Sequence, residues 1–336
     1  MTAPEINRNV LAREVQRIVG PDVASTMRFL ARGEYSINYL TGTPEELLVV
    51  RIVTGSQIGL SLPEQVLYES RALNLLEDSG RTPRVVAVQP DSSELPFPFF
   101  IESYLPGTPL DYATDLDASA CCIADIHQVA VPVEHGLQVH RDPGPSILEE
   151  SRTWAEEYLN WAEGPRASRA ALRRAFAVIE ADLAQAAAIF AEPDLVFVNY
   201  DLNTHNFIVR PDDCFVSLVD WEKARVAPAV QDLAHFLLPT TTLWRTSTAT
   251  RLTPAQEARY LNTYLAARPH LDRDRFMLQL AQMRRLIALR AVSWCSWAVF
   301  AAAAGTRVIA NVETIKRIQM YLEPAFLNRL FDTMAV

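Results

Sequence analysis

The sequence is poor in cysteine and has no long hydrophobic run. Its 336 residues include four cysteines at no metal-ligand spacing, Cys121, Cys122, Cys214 and Cys295, two of which are adjacent. A zinc site and a disulfide framework are therefore not expected. No segment reaches the ~20 uninterrupted apolar residues that span a bilayer, and the first residues lack the apolar core of a signal peptide. We predict a cytoplasmic protein with no membrane partner.

Lysine is scarcer still, and it occurs only at positions 223 and 316. Arginine must therefore supply every side-chain cation of the first 222 residues apart from histidine. The net charge of −9 argues against a nucleic-acid partner, because phosphate contacts need clustered Lys and Arg. Residues 241–336 carry 13 Lys and Arg against 6 Asp and Glu, whereas residues 1–240 carry 18 against 34. The last third is basic and the rest is acidic.

What is present is the composition of an ordinary globular protein, with 49% hydrophobic and 21% charged residues. The chain is long enough for one bilobal unit or two domains. Strands are predicted at 26–32, 36–42, 46–53, 84–89 and 97–104, with helices at 7–19 and 63–79. Helices are predicted near 114–130, 147–162, 167–191, 254–267, 272–303 and 309–331, interrupted by extended segments at 195–200, 206–210 and 214–222. These patterns predict an α+β fold with a small β-rich lobe and a larger, mainly helical lobe.

Three polar residues have a spacing that indicates chemistry. Asp201 ends one predicted strand, Asn206 follows five residues later, and Asp220 ends the next hairpin, so all three should converge on one edge of that hairpin. Phosphoryl transfer from a nucleotide needs a carboxylate near the acceptor hydroxyl and oxygen ligands for magnesium. These residues supply both. Taken singly, Asp201 and Asn206 could equally be turn or capping residues.

This segment resembles the catalytic and metal loops of the aminoglycoside phosphotransferase and choline kinase family, which is related to the protein kinases. The resemblance implies a bilobal protein-kinase-like fold and a small-molecule kinase that uses ATP or GTP and Mg²⁺. It implies that Asp201 is the catalytic residue and that Asn206 and Asp220 hold Mg²⁺. Asp232 matches an aspartate that supports the catalytic loop. Residues 123–129 resemble a conserved helix of the family.

The resemblance also implies that three successive segments of the chain have different functions. Residues 1–104 would form the nucleotide-binding lobe, residues 105–240 the core with the catalytic and metal loops, and residues 241–336 the acceptor-binding helices. Residues 98–110 resemble the hinge, which implies that Glu102 and Tyr104 bind the nucleotide.

Three positions of the catalytic and phosphate-binding motifs depart from the family pattern. Asn199 stands where the family has histidine, and an amide can also donate and accept hydrogen bonds there. Tyr200 replaces the usual glycine. Arg51 stands in place of the phosphate-binding lysine, and its guanidinium can grip phosphate oxygens with two donors. Its expected partner is Glu69, with Glu64 as the alternative.

The loop at 32–38 has the position of a nucleotide-binding loop, although it contains only Gly33 as a phosphate-cradling glycine. Ser36 and Asn38 are predicted to contact the β-phosphate. The predicted acceptor site lies in the C-terminal helices, with Trp294, Trp297, Arg284 and Tyr264 as candidate contacts.

Aromatic side chains suit stacking on a sugar or a nucleobase, and the basic last third disfavours a polycationic aminoglycoside. These features favour a neutral or anionic, sugar-bearing natural product such as a nucleoside antibiotic. Residues 33–40, 51–60 and 79–83 resemble antibiotic phosphotransferases of the capuramycin type. A metabolic kinase for choline, homoserine or a similar metabolite and a pseudokinase binding module are the alternatives. The sequence leaves the choice between ATP and GTP, the acceptor hydroxyl and the oligomeric state open.

Overall fold

A computed structural model describes residues 6–91, 94–186, 189–190, 192–244, 246–306 and 312–332. The strands are β1 (Arg28–Arg32), β2 (Ser36–Gly42), β3 (Leu47–Val53), β4 (Val85–Gln89), β5 (Phe99–Ser103), β6 (Thr108–Pro109), β7 (Leu195–Val198), β8 (Phe207–Val209), β9 (Val216–Leu218) and β10 (Arg225–Pro228). The helices are α1 (Arg8–Val19), α2 (Pro21–Ser25), α3 (Leu62–Leu76), α4 (Leu116–His127), α5 (Pro143–Asn160), α6 (Arg166–Ala186), α7 (Val230–Leu237), α8 (Pro239–Thr242), α9 (Pro254–Ala267), α10 (Arg273–Ala303), α11 (Val312–Tyr321) and α12 (Pro324–Asp332). Short 3₁₀ turns lie at Glu77–Ser79 and Thr246–Thr248.

The first of two compact units consists of residues 1–109, 128–138 and 206–224. Its main sheet is antiparallel with the strand order β1-β2-β3-β5-β4. Side chains alternate between the two faces of a strand. Val50 and Ile52 of β3 therefore enter the core cluster with Leu11 of α1, and Arg51 between them points to the opposite face. In the same unit, β6, β8 and β9 form a second, three-stranded sheet.

The second unit consists of residues 110–127, 139–205 and 225–336. Strands β7 and β10 pair antiparallel, and most of the other described residues of this unit are helical. Helix α10 packs against α5 and α7. This helix is long and apolar enough to cross a membrane by length and composition, but 56% of its most apolar 18-residue window is buried inside the protein, which is what a core helix also shows. Fully buried aromatic rings, including Tyr112, Phe236 and Tyr260, fill the core.

The α+β class is confirmed, with a sheet-rich first unit and a mainly helical second unit. The predicted helix at 309–331 is wrong in one respect, because two helices occupy its described part. Leu322 and Glu323 separate α11 from α12, and Pro324 occupies the first position of α12, where its missing N–H leaves no hydrogen bond unmade. Residues 187–188, 191 and 309–311 of the predicted helices lie outside the described residues. The short elements α2, α7, α8, β6 and β10 were not predicted. The functional boundaries at 104 and 240 stay predictions.

Candidate active site

In the first unit, Arg51 lies among carboxylates. Its side chain is only 9% exposed, and Nε lies 2.9 Å from Oε1 of Glu69 on α3. Nη2 lies 2.5 Å from Oδ1 of Asp220 and 3.9 Å from Oε2 of Glu222. Glu64, the alternative partner, instead accepts the backbone N–H of Ser61 at 2.9 Å and caps the start of α3. Arg51 therefore joins α3 to the segment after β9.

Negative charge exceeds positive charge around this guanidinium. Glu69, Glu102, Asp220 and Glu222 all act electrostatically on Arg51 and raise its pKa against the effect of burial. Burial is also the main reason why the pKa of Glu102 rises to about 7 and that of Glu222 to about 7. Burial and the neighbouring carboxylates raise the pKa of Glu69, although Arg51 opposes that rise. Four carboxylates around one arginine form a site that would be stabilised by an additional cation.

The hairpin β8–β9 brings the two predicted magnesium ligands to one end. Asn206 directly precedes β8, and its carbonyl oxygen accepts the N–H of Val219 at 2.8 Å. Asp220 follows Val219 and has a positive φ of 66°, which turns the chain sharply out of the hairpin. The next residue, Trp221, is fully buried and donates its indole N–H to Leu218 O at 3.1 Å, which fixes this turn.

An amide oxygen and a carboxylate fit a hard divalent cation. Mg²⁺ in kinases is held by one or two protein groups together with substrate phosphates and water. Asn206 and Asp220 offer such a donor set. Among the described residues, no group of three or more His, Cys, Asp and Glu has the arrangement of a metal site. Asn206 and Asp220 would be two protein ligands of an ion whose other ligands are phosphate oxygens and water.

The predicted nucleotide loop connects β1 and β2 in the same unit. The N–H of Gly33 donates to Ser36 O at 2.9 Å, and a Cβ atom at Gly33 would lie 3.1 Å from Ser36 Oγ. Asn38 is the cross-strand neighbour of Arg51, and its Oδ1 is buried without a hydrogen-bond partner among the described residues. A buried amide atom next to Arg51 is suited to a ligand.

The predicted hinge residues lie on and just after β5. Glu102 faces Val49 across the strand pair and is buried beside Arg51. The N–H of Tyr104 donates to Leu47 O at 3.0 Å, which fixes the chain as it leaves β5. Tyr104 is half-buried. The roles of both residues in nucleotide binding stay predictions.

In the second unit, the loop after β7 holds Asp201 by its backbone. Oδ2 of Asp232 accepts the N–H of Asn199 at 2.8 Å, and Oδ1 accepts the N–H of Tyr200 at 2.9 Å. Asn199 Oδ1 accepts the N–H of Asp201 at 3.0 Å. Asn199 and Asp232 are fully buried, whereas Asp201 is half-buried. The amide at position 199 thus fixes the backbone of Asp201 directly.

Tyr200 adopts the left-handed conformation, with φ 68°. A glycine takes this conformation without cost, whereas a bulky residue in it is strained by about 1–3 kcal/mol and must be held by its surroundings. The Tyr200 ring is only 2% exposed. The buried ring and the Asp232 hydrogen bond supply that restraint.

A buried chain of contacts leads from Asp232 into the helices. His127 Nε2 lies 3.5 Å from Asp232 Oδ2, and Nδ1 lies 2.8 Å from the Tyr264 hydroxyl. Arg268 Nη1 donates to that hydroxyl at 3.2 Å, and Nη2 donates to Asp194 at 2.8 Å. Burial lowers the pKa of His127, although Asp232 opposes this. Tyr264 is fully buried and lies in the core, and its contact with the acceptor stays a prediction.

Five arginines of the C-terminal third are paired with acidic residues from earlier segments. These ion pairs are Arg259–Asp117 (2.9 Å), Arg268–Asp194 (2.8 Å), Arg275–Glu192 (3.1 Å), Arg285–Asp182 and Arg290–Glu150 (2.8 Å). Arg284, a predicted acceptor contact, lies 2.8 Å from Glu257, and both side chains are largely buried. Five carboxylates from outside residues 241–336 therefore offset much of the charge excess of this region. The excess no longer argues against a cationic acceptor.

Trp294 and Trp297 are half-buried. The ring centroid of Trp294 lies 5.9 Å from that of Trp244 and 6.4 Å from that of Trp297. This aromatic cluster retains some accessible surface, and its role in acceptor binding stays a prediction.

The sequence matches the APH family, described as the phosphotransferase enzyme family, over residues 26–274. The protein belongs to this family, and it is accordingly an enzyme that transfers a phosphoryl group to a hydroxyl of a small molecule. No curated protein sequence matches the chain.

Several solved structures share the fold. A spectinomycin phosphotransferase, determined with ADP and spectinomycin, is 12% identical over 99% of both chains with a TM-score of 0.67. A microcompartment-associated aminopropanol kinase is 15% identical, with 97% of this chain and 98% of that chain covered and a TM-score of 0.66. An ethanolamine kinase from Plasmodium vivax is 13% identical, with coverage of 98% and 90% and a TM-score of 0.63. At these identities the likeness is one of fold.

The structure adds residues that were not among the predicted site residues. Glu222 lies beside Arg51 and accepts a hydrogen bond from Gln57 Nε2 at 2.5 Å. The position of Glu222, two residues after Asp220, is a sequence signal that could have identified it as a site residue. Arg225 and Arg290, whose guanidinium carbons lie 3.6 Å and 4.4 Å from the Tyr200 ring centroid, carry no local signal, because they come together only in the folded chain.

Proposed function

We propose that this enzyme transfers the γ-phosphoryl group of ATP to a hydroxyl of a small molecule, with Asp201 orienting that hydroxyl. The observation that carries the proposal is the ion pair between Arg51 and Asp220 at the end of the hairpin that also contains Asn206. ADP in the similar spectinomycin phosphotransferase supports an adenine nucleotide, and ATP over GTP. The cytoplasmic location predicted from the sequence is part of the proposal.

In the proposed reaction, Arg51 binds phosphate oxygens, assisted by Ser36, Asn38 and the backbone around Gly33. Asn206 and Asp220 would hold Mg²⁺, which supplies compensation for the negative charge of the phosphates. Glu69 keeps the guanidinium in place. Glu102 and Tyr104 would contribute to nucleotide binding, as the family resemblance implies.

The chemistry breaks one bond and forms one. The acceptor oxygen attacks the γ-phosphorus while the bond from that phosphorus to the β,γ-bridging oxygen breaks, and ADP leaves with the electron pair. The proton of the acceptor hydroxyl passes to the Asp201 carboxylate. The hydrogen bond that the Asp201 N–H donates to Asn199 Oδ1, and those that the N–H groups of Asn199 and Tyr200 donate to Asp232, hold this carboxylate on a fixed backbone. Little reorganisation is therefore needed during the reaction.

For the acceptor we propose a sugar-bearing natural product, with antibiotic inactivation as the biological role. The half-buried cluster around Trp294 and Trp297 supports this, because an exposed indole face stacks well on a sugar or a base. A nucleoside antibiotic of the capuramycin type remains the most specific form of the proposal, from the resemblance at 33–40, 51–60 and 79–83. Arg284, paired with Glu257, would contact the acceptor at most through its remaining donors.

A metabolic kinase for a small amino alcohol is the second candidate. The internal pairing of the C-terminal arginines favours it, because a fold that neutralises its own cations is compatible with a cationic acceptor. The names of the similar aminopropanol kinase and ethanolamine kinase state that those two enzymes act on amino alcohols.

The test is acceptor-dependent release of ADP from MgATP across a panel of nucleoside antibiotics, aminoglycosides, choline, ethanolamine and homoserine. We expect turnover with one class, lost in Asp201→Asn. Turnover with amino alcohols alone would replace the first candidate by the second. Binding of MgATP without turnover by any acceptor or by water would indicate a pseudokinase.

A further inference from the structure

Tyr200 precedes the proposed catalytic aspartate and is restrained on its backbone and on its ring. Its N–H donates to Asp232 Oδ1 at 2.9 Å. Its buried ring is contacted by two guanidinium groups, that of Arg225 with 3.6 Å between the guanidinium carbon and the ring centroid, and that of Arg290 with 4.4 Å. Both distances lie within the range of attractive cation–π contacts.

The two arginines come from separate elements. Arg225 begins β10 and pairs in register with Val198 at the end of β7, so it is fixed by the strand pair that leads into the loop. Arg290 lies in the middle of α10. It therefore joins the loop to the longest helix of the second unit.

Arg290 is itself held in place. Its Nε and Nη2 donate to the two carboxylate oxygens of Glu150 on α5 at 2.8 and 3.2 Å, which is a bidentate pair. Its guanidinium carbon also lies 5.0 Å from the ring centroid of Trp154 on the same helix. Burial opposes the charge of Arg290, but Tyr200, Glu150 and Asp201 raise its pKa, so a positive charge is maintained near Asp201.

We propose that Arg290, fixed by Glu150, is a positioning residue for phosphoryl transfer: with Arg225 it holds the Tyr200 ring, and thereby the left-handed backbone from which Asp201 projects. The proposal rests on the role of Asp201 proposed above. Where a glycine would take this conformation unaided, this chain uses an arginine contact to hold a tyrosine in it. The alternative is that the Arg290–Glu150 pair only stabilises the packing of α10 on α5.

A double-mutant cycle separates these roles. Arg290→Lys keeps the charge but loses the bidentate pair and the planar contact with the ring. We expect kcat to fall about 10- to 100-fold, as for a small misplacement of a catalytic group, with the KM for ATP unchanged. In the Tyr200→Gly background there is no ring to hold, so Arg290→Lys should cause no further fall in kcat. Glu150→Gln, which releases Arg290 without removing it, should behave like Arg290→Lys.

Arg285→Lys is the matched control, because Arg285 lies on the same helix and also forms an ion pair, between its Nη1 and Oδ2 of Asp182. It should leave kcat unchanged. Equal losses of kcat from Arg290→Lys in both backgrounds would overturn the proposal, as would a rise in the acceptor KM alone, which would make Arg290 an acceptor contact.

Hydrogen exchange keeps this test independent of the acceptor. Activity is measured as acceptor-dependent ADP release, or as ATP hydrolysis by water if the panel gives no turnover. In parallel, Arg290→Lys should speed exchange at the amides of Tyr200 and Asp201 and leave the amides of β2 and β3 unchanged. Unchanged exchange at Tyr200 and Asp201 would overturn the proposal. If Asp201→Asn retains full turnover, the proposed function fails, whatever the exchange result.

Discussion

The two regions that carry the proposed reaction are held together by different kinds of interaction. In the first unit, Arg51 lies among Glu69, Glu102, Asp220 and Glu222, so ionised groups dominate and negative charge is in excess. In the second unit, the loop at Asn199–Asp201 is held by backbone hydrogen bonds to one buried carboxylate and by contacts to an aromatic ring. The first region is suited to bind a charged ligand, and the second is suited to hold one side chain still.

The largest expected effect is a loss of turnover, which should be separable from the loss of nucleotide binding. Asp201→Asn should lower turnover by about 10²–10⁴, as for loss of a general base, but leave the stabilisation by MgATP intact. Asp220→Asn should abolish both. Turnover gives the first quantity, and the rise in unfolding temperature on adding MgATP gives the second. If Asp201→Asn also lost the stabilisation by MgATP, the two regions would not divide binding from chemistry.

Removal of the central cation should destabilise the first region strongly. Arg51→Met leaves Glu69 buried without its partner, which typically costs about 3–5 kcal/mol. The free energy of unfolding in urea measures this loss. Arg84→Met is the control, because the Arg84–Glu46 pair is exposed, and it should have no measurable effect. A loss for Arg51→Met no larger than that of the control would show that the cluster contributes nothing to stability.

The excess negative charge predicts a pH dependence. Glu102 has a pKa of about 7 in the folded protein and about 4.3 when unfolded, so folding is penalised once Glu102 is ionised in both states. Glu102→Gln should therefore be more stable than the wild type above pH 7, by up to about 3–4 kcal/mol. The gain should shrink as the pH falls toward 4. Unfolding in urea at pH 5 and pH 8 tests this, with the exposed Glu45→Gln as control. A gain that is equal at both pH values would contradict the raised pKa.

The smallest expected effect concerns His127 in the second unit, which should lower the stability of the protein as the pH falls, whereas Glu102 lowers it as the pH rises. Burial lowers the pKa of His127, so the unfolded state takes up a proton more readily once the pH falls below about 6.5. The stability associated with neutral His127 is present above that pH and is lost as the pH falls. His127→Gln should therefore lose less stability than the wild type between pH 7 and 5.5 in thermal unfolding. A larger acid sensitivity of the variant would indicate a charged His127 paired with Asp232.

Much of the first unit could be predicted because its patterns are local. The apolar segment at 46–53, bounded by turn residues, predicts a strand, and the structure has β3 at Leu47–Val53. The proline and the acidic residue at the start of the helix predicted at 63–79 correspond to the capping box and the N-terminal proline of α3. The Arg51–Glu69 pair was predicted from the family resemblance, and the two residues do form an ion pair.

The acceptor contacts were harder to predict, since their pattern is not local. A tyrosine such as Tyr264, at helical spacing, fits a core position and a binding position equally well, and the sequence does not distinguish them. The charge excess of residues 241–336 pointed to a basic pocket, yet Arg268, Arg275 and Arg290 find their carboxylates 74, 83 and 140 residues away. Pairing over such separations depends on how the helices pack.

The sequence by itself determined most of the longer helices and strands, the class of reaction implied by Asp201, Asn206 and Asp220, and the replacement of lysine by arginine at position 51. These depend on residue type and on short spacings, which survive in any fold that forms the hairpin. Only the tertiary structure decided which charges remain in excess and what holds Tyr200 in its left-handed conformation. The physical reason is that electrostatic compensation and ring contacts depend on distance in space, and packing brings together residues that the chain keeps far apart.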